Sequence, residues 1–253
     1  MQLTNNLRKS IASLDSARHR RDEGLFKVEG LKMVSDTIGR FPLRYLMVAK
    51  SAVSEVVSRL GATVADRIIP CTRQDLERMS SLTTPREVIA VYELPGSEAI
   101  PTIIPDRLYL ALDDIRDPGN MGTIIRTALW MGVTDILCSR ECVDLYNPKV
   151  LQSTMGAVAR VNVSYCDLPE VLSALPGMEV YGTFLDGDNI YKSPLTPGGV
   201  IVVGNEGHGI SPAVEACVTR RLTIPAFGPG YPGESLNAAM ATGIVMSEFR
   251  RRL

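Results

Sequence analysis

The sequence predicts an α/β protein built around a parallel sheet, and three observations lead there. Continuous apolar runs such as LYLALDD (108–114) and GVIVVG (199–204) have the composition of strands buried on both faces. Helical periodicities separate most of these runs, and strands alternating with helices imply a parallel sheet covered on both sides. Glycine, proline and isolated polar residues gather directly after the strands, where the loops of such sheets bind ligands.

The first hundred residues form a smaller α/β unit. LFKV (25–28) and RYLMVA (44–49) read as strands, and residues 29–38 as a helical stretch with Leu31, Val34 and Ile38 on one face. Ser51 is placed to cap the next helix and Thr72 the one after RIIP (67–70); VIAVYEL (88–94) ends the unit. LPGSEAIPTIIPD (94–106) holds three prolines and a glycine and is the best linker candidate, so a domain boundary near residue 100 divides the chain into 1–100 and 101–253. In the second half GTIIRTALWMGV is a helix, and TDILCS, VNVSY, EVYGTF and RLTIP are further strand candidates.

The 253 residues, 45% apolar and 22% charged, have the balance of a globular protein, and a net charge of -1 gives no global polycation. Residues 1–44 nevertheless hold nine basic side chains (Arg8, Lys9, Arg18, Arg20, Arg21, Lys27, Lys32, Arg40, Arg44) against five acids. Such a local excess either binds phosphates or forms a solvated face. Five scattered cysteines, no Cys-x-x-Cys and two histidines argue against a disulfide framework and against a metal site. The N-terminus has no apolar signal core, and no apolar run approaches the ~20 residues that cross a membrane. A reduced, cytoplasmic protein without a membrane segment is expected.

Three strand ends hold the chemistry, and each has a structural reading beside a functional one. In DDIRDPGNMGTIIRTALWMG (113–132), Asn120 is a good helix cap and Arg126 could pair with Asp113 or Asp117; alternatively both face one pocket. In VIVVGNEGHGIS (200–211), Glu206 could be a helix-start acid. Ser211 already occupies the capping position there, so the carboxylate exceeds structural need. In RLTIPAFGPGYPGESLNAAMATGIVMSEFRRR (221–252), Ser235 is a natural N-cap, and Ala238, Ala239, Ala241 and Gly243 let the closing helix approach other backbone closely.

Taken in order, Asn-x-Gly-x-x-x-Arg, Gly-x-Glu-Gly-x-Gly and Ile-Pro…Ser-Leu-Asn resemble the signature of the SpoU/TrmH family of RNA ribose 2′-O-methyltransferases, within the SPOUT superfamily. NPKVLQSTMGAVARVNV (147–163) is similar to the connection between the first two segments, and FKVEG (26–30) resembles the small ribosomal-protein-like α/β substrate-binding domain that often precedes the catalytic one. The resemblance implies a trefoil-knotted parallel-sheet methyltransferase domain over 101–253. It implies S-adenosyl-L-methionine as cofactor, with Gly204, Ile224 and Leu236 lining its site. Asn120, Arg126, Glu206, Ser235 and Asn237 fall on the catalytic signature, with Arg126 as proton acceptor or as a phosphate-anchored group. A homodimer, with Trp130 and the closing helix as interface candidates, an RNA substrate (ribosomal more than transfer RNA) and no metal are further implications. The loop between Ile224 and Ser235 is longer than the common family spacing; Tyr231 within it either stacks on a ligand or packs.

Two rivals predict different residues. A nicotinamide-linked oxidoreductase needs an early Gly-x-Gly-x-x-Gly after a first strand, where this chain reads DPGNMG. A non-catalytic RNA-binding relative would lose signature polar residues, and all five are present.

Overall fold

The computed structural model describes residues 2–96, 99–175, 177–228 and 235–252. The chain separates into two compact units, one of Met1–Gly96 with Asp144–Ala159, the other of Ser97–Val143 with Arg160–Leu253.

The first unit begins with α1 (Asn5–Ser13) and α2 (Ala17–Glu23), followed by β1 (Leu25–Glu29), α3 (Leu31–Thr37), β2 (Leu43–Ala49), α4 (Val53–Leu60), β3 (Ile68–Cys71), α5 (Arg73–Met79) and β4 (Val88–Glu93). Its sheet has the order β1-β4-β2-β3, with β4 antiparallel to both neighbours and β2 parallel to β3. Thr72 caps α5 as expected, in a reciprocal capping box with Asp75. Ser51 does not cap α4: a 3₁₀ turn over Lys50–Ala52 intervenes, and the cap position falls to Ala52. The buried face of α3 is Met33, Val34 and Thr37 rather than Leu31, Val34 and Ile38, because the helix starts two residues later than its periodicity suggests and ends at Thr37, whose hydroxyl meets that of Tyr92 at 2.9 Å.

Much of the basic excess of this unit is internal. Arg20 is 2% exposed; it donates to the carbonyls of Leu14 (2.8 Å) and Asp15 (2.9 Å) and forms an ion pair with Asp144. Lys27, also buried, meets Asp15 at 2.9 Å. Arg8 pairs with Asp75, Arg18 with Asp22, Lys32 with Asp36 and Arg44 with Glu93. Ion pairing therefore replaces phosphate binding as the local role of Arg20 and Lys27, which the charge count alone could not separate from the solvated arginines.

The second unit runs through β5 (Leu108–Leu112), α6 (Pro118–Trp130) and β6 (Asp135–Cys138). The chain then makes α7 (Pro148–Thr154), which packs on β1 of the first unit, before β7 (Asn162–Tyr165), α8 (Leu168–Ser173), β8 (Val180–Asn189), β9 (Gly199–Val203), α9 (Pro212–Glu215), β10 (Arg220–Thr223) and α10 (Ala238–Arg251). Every strand pairing in the sheet β10-β8-β9-β5-β6-β7 is parallel. β5 and β9 are fully buried, as their unbroken apolar composition requires. From β5 the chain builds outward through β6 and β7, then returns to the other side of β5 with β9. The order thus reverses between β5 and β9, the position where open α/β sheets form their ligand crevice.

β8 and β10 approach unusually closely. A Cβ added at Gly187 would lie 2.6 Å from the carbonyl carbon of Leu222 and 2.7 Å from its nitrogen, so the β8 bulge there needs a residue without a side chain. β10 ends at Thr223, which leaves Ile224 just past the strand instead of inside it.

At the end of α10, Glu248 accepts from Arg251 (2.7 and 2.8 Å) and Arg252 (2.8 Å), and these guanidinium partners lower its pKa from 4.5 to about 2. A carboxylate with a depressed folded pKa stabilises above its unfolded value and loses that contribution as pH falls through the folded one. Urea midpoints of wild type and Glu248→Gln should therefore differ by a constant amount near neutral pH and converge as pH falls from about 4.5 to about 2.

Candidate active site

The carboxyl end of β5 continues into Asp113 and Asp114, both buried. Asp113 accepts the backbone N–H of Ser211 at 2.7 Å and so serves the start of α9, whose own Ser211 side chain makes no capping bond. Asp114, in a left-handed backbone conformation, meets Arg116 at 2.7 Å and His208 at 3.1 Å, and its carbonyl accepts from Asn205 at 2.8 Å. These acids fasten the turn after β9 to the end of β5. They do not pair with Arg126.

That turn is closed by hydrogen bonds of 3.0 and 2.9 Å between Asn205 and Gly209, with the Asn205 side chain accepting from Gly207 at 2.8 Å. A Cβ at Gly204 would overlap the main chain of Gly209 and Ile210. The glycine is thus required by the turn itself, whatever ligand it also borders. Gly204→Ala should cost about 1–3 kcal/mol, the usual range for overpacking, and displace Glu206; thermal unfolding measures the first effect and methyl transfer the second.

Glu206 is half-buried at the tip of this turn, and its Oε1 accepts from Nδ2 of Asn120. Asn120 is released for this because Asp117, not Asn120, caps α6, accepting the Asn120 N–H at 2.7 Å. The Asn120 Oδ1 in turn accepts from Nδ2 of Asn237 at 2.8 Å. Asn237, rather than Ser235, is the cap of α10: its Oδ1 accepts from the N–H groups of Ala239 (3.0 Å) and Met240 (3.2 Å). A continuous chain, Glu206–Asn120–Asn237, therefore joins the ends of β9, α6 and α10. Each amide uses one donor and one acceptor, which fixes its orientation.

Arg126 lies on the exposed side of α6, and among the described residues it has no ion-pair or hydrogen-bond partner. An unpaired guanidinium is available for an anion. Ser235 and Leu236 are exposed at the entry to α10, and Ile224 is half-buried beyond β10. Structure thus brings Asn120, Glu206 and Asn237 into direct contact, but not Arg126 or Ser235. Tyr231 lies outside the described residues. Sequence reading missed Asp117 as the cap and the fastening role of Asp113, Asp114 and Asn205. The sequence Asp-Pro-Gly, with Pro at the first helical position, is the signal that could have marked Asp117.

S-adenosylmethionine fits the chemistry of these residues. Half-buried Ile224 follows β10, exposed Leu236 precedes α10 and the glycine-rich turn follows β9; apolar side chains and main-chain groups are the kind of chemistry that suits an adenine ring and its edge. Among the described residues, no three His, Cys, Asp or Glu side chains are placed to hold a metal ion.

An α/β enzyme with its site at the sheet's reversal point, ringed by strand-end polar groups, is the class these features define. The chain belongs to the SpoU rRNA Methylase family, whose profile matches residues 107–247; that of the MRM3-like substrate binding domain matches residues 5–90. The 23S rRNA (guanosine(2553)-2'-O)-methyltransferase RlmP of Bacillus subtilis is 29% identical over 248 residues, 96% of this chain and 95% of that protein. Among solved structures, a protein assigned to the TrmH family of RNA methyltransferases from Porphyromonas gingivalis is 38% identical with a TM-score of 0.87, covering 99% of both chains. An rRNA methyltransferase from Sinorhizobium meliloti with AdoMet bound is 27% identical with a TM-score of 0.86, covering 100% of this chain and 98% of that one.

Proposed function

We propose that this chain transfers a methyl group from S-adenosylmethionine to a ribose 2′-hydroxyl of ribosomal RNA. The observation that carries the proposal is the Glu206–Asn120–Asn237 chain, which ties all three family signature segments to one point at the sheet's reversal. When bound, the cofactor supplies an activated methyl on a sulfonium. The ribose oxygen would take that methyl as its bond to sulfur breaks, leaving S-adenosylhomocysteine, and the hydroxyl proton would pass to solvent water.

Alignment is then the main task of the protein. Asn120, Glu206 and Asn237 act as positioning residues that hold the three segments around the reacting atoms. Ser235, beside them, orients the ribose, while Gly204, Ile224 and Leu236 border the cofactor. Arginine is effectively always protonated in proteins, so Arg126 anchors the phosphate next to the target ribose and does not take the proton.

The domain assignment belongs to the same reading: residues 1–100 hold RNA and residues 101–253 carry out transfer, a boundary supported by family matches that end at 90 and resume at 107. Lys9, Arg21 and Arg59, exposed and without ion-pair partners among the described residues, are the phosphate contacts. A homodimer joined through α6 and α10 is supported by Trp130 at 87% and Met240 at 62% exposure on those helices, and a cytoplasmic location belongs to the same proposal. The proposed trefoil knot rests on membership of the SpoU rRNA Methylase family.

Incubation of the purified chain with labelled S-adenosylmethionine and ribosomal RNA from cells lacking the gene tests the proposal. Label should enter RNA and survive alkaline hydrolysis as a dinucleotide, since a 2′-O-methyl group blocks cleavage of the adjoining phosphodiester. Cofactor and RNA binding without any transfer would favour a non-catalytic RNA-binding relative instead.

A further inference from the structure

The carboxyl ends of β8 and β10 are followed by two aromatic side chains, Tyr191 and Phe227, that occupy none of the signature positions. Phe227 is 85% exposed and Tyr191 41% exposed, and their rings lie 6.3 Å apart with planes inclined by 30°. Singly exposed apolar side chains are ordinary, but two exposed rings in register make a small apolar patch, and apolar patches beside polar rims mark interaction sites.

The turn beneath Tyr191 is firmly held. Asn189 accepts through its side chain from the Tyr191 N–H (2.9 Å) and through its carbonyl from the N–H groups of Lys192 (2.9 Å) and Ser193 (3.0 Å). Ile190 donates to the carbonyl of Thr223 at 3.0 Å, which joins this turn to the end of β10 just before Phe227. Arg252, itself oriented by Glu248, donates to the carbonyl of Ile190 at 2.8 Å and to that of Ser193. Tyr191 therefore stands on a pre-ordered base and loses little freedom on meeting a ligand.

Because the sheet is parallel, Thr223 and Asn189 end at the same edge as Gly204 and Glu206. β9 and β10 are two strand spacings apart, about 10 Å. The aromatic pair thus follows strand ends that open on the same edge of the sheet as the candidate active site. Local charge is balanced, since the exposed Asp188 and Lys192 flank the turn and Asp186 is paired with Arg221 at 2.6 Å.

We propose that Phe227 and Tyr191 form a stacking platform for an unpaired base next to the methylated nucleotide. This rests on the reading of RNA as substrate. A base presents an apolar π-face to such rings whatever its identity, and single-stranded RNA is gripped in this way on exposed aromatics. With charge balanced at the platform, the contact is made by stacking rather than by phosphate attraction. Its contribution is consequently insensitive to salt, unlike that of the basic residues of the first unit.

Phe227→Ala, Tyr191→Ala and Phe227→Trp test this in the full-length protein. Methyl transfer to ribosomal RNA from cells lacking the gene gives KM and kcat, calorimetry gives S-adenosylmethionine affinity, and sedimentation gives the oligomeric state. Fluorescence polarisation with labelled oligo(A) reads RNA binding directly at low and high salt. Each alanine variant should raise KM for RNA and weaken oligo(A) binding about thirtyfold, the middle of the range for losing one stacked base. That ratio should hold at both salt concentrations, kcat and cofactor affinity should stay near wild type, and Phe227→Trp should restore binding. Unchanged RNA binding would overturn the proposal. So would a parallel loss of cofactor affinity, which would make the pair a cofactor cover, or dissociation of the oligomer, which would make it a contact between copies. If wild type binds oligo(A) but transfers no methyl group, the functional proposal fails while the binding ratio still decides this one.

Discussion

Asn120→Ala should lower methyl transfer about 100-fold while leaving the protein folded and S-adenosylmethionine affinity within several-fold of wild type. Asn120 is the middle of the Glu206–Asn120–Asn237 chain, and its side chain is not a helix cap. Truncation therefore leaves α6 with its Asp117 cap intact but frees both neighbours. Glu206 and Asn237 are partly hydrated, so the stability cost is only about 1 kcal/mol. The kinetic cost is larger, because displacement of a positioning group by about 1 Å can cost on the order of 100-fold in rate. Single-turnover transfer beside calorimetric cofactor titration separates the two effects. A similar loss in both would instead assign Asn120 to cofactor binding.

Arg20→Met should destabilise the first unit by about 2–4 kcal/mol, chiefly the cost of leaving the Leu14 and Asp15 carbonyls without their donor, since the Asp144 carboxylate left behind is a third exposed. The guanidinium is 2% exposed and serves the Leu14 and Asp15 carbonyls as well as Asp144, so its loss leaves three acceptors unserved. Arg20→Lys should recover only part of the loss, since one ammonium cannot reproduce the planar fork. Melting temperature should fall by roughly 10 °C. An Arg20 that instead contacted RNA would leave melting unchanged and weaken RNA binding with a reduced salt slope.

These two residues also mark what could and could not be read from the chain alone. Alternation of apolar runs and helical periodicities was enough for the parallel sheet, because β5 and β9 are buried on both faces and their composition has no other use. The three signature segments were legible from their order and combination, which resemble those of a known family; each alone kept a structural reading, and Gly204 does serve its own turn. Capping was harder. Asp117, Asn120, Ser211, Ser235 and Asn237 are all residues that cap helices, and only three-dimensional contact distinguishes Asp117 and Asn237, which cap, from Asn120, which bridges. The service of Asp113 to Ser211 spans 98 residues and leaves no local trace. Basic residues at Arg20 and Lys27 looked like their exposed neighbours because charge counts do not report burial. Phe227 and Tyr191 passed unnoticed because exposure of an aromatic is a property of the fold.

The central claim is 2′-O-methyl transfer at a site formed by the three strand-end segments. Its most direct test is the labelled-methyl assay on ribosomal RNA from cells lacking the gene, run with wild type and Arg126→Ala and followed by mapping of the modified nucleotide. Label at one ribose 2′-oxygen with wild type, and loss of that label with Arg126→Ala at unchanged cofactor affinity, is the predicted result. Label on a base, or full transfer by Arg126→Ala, would contradict the account.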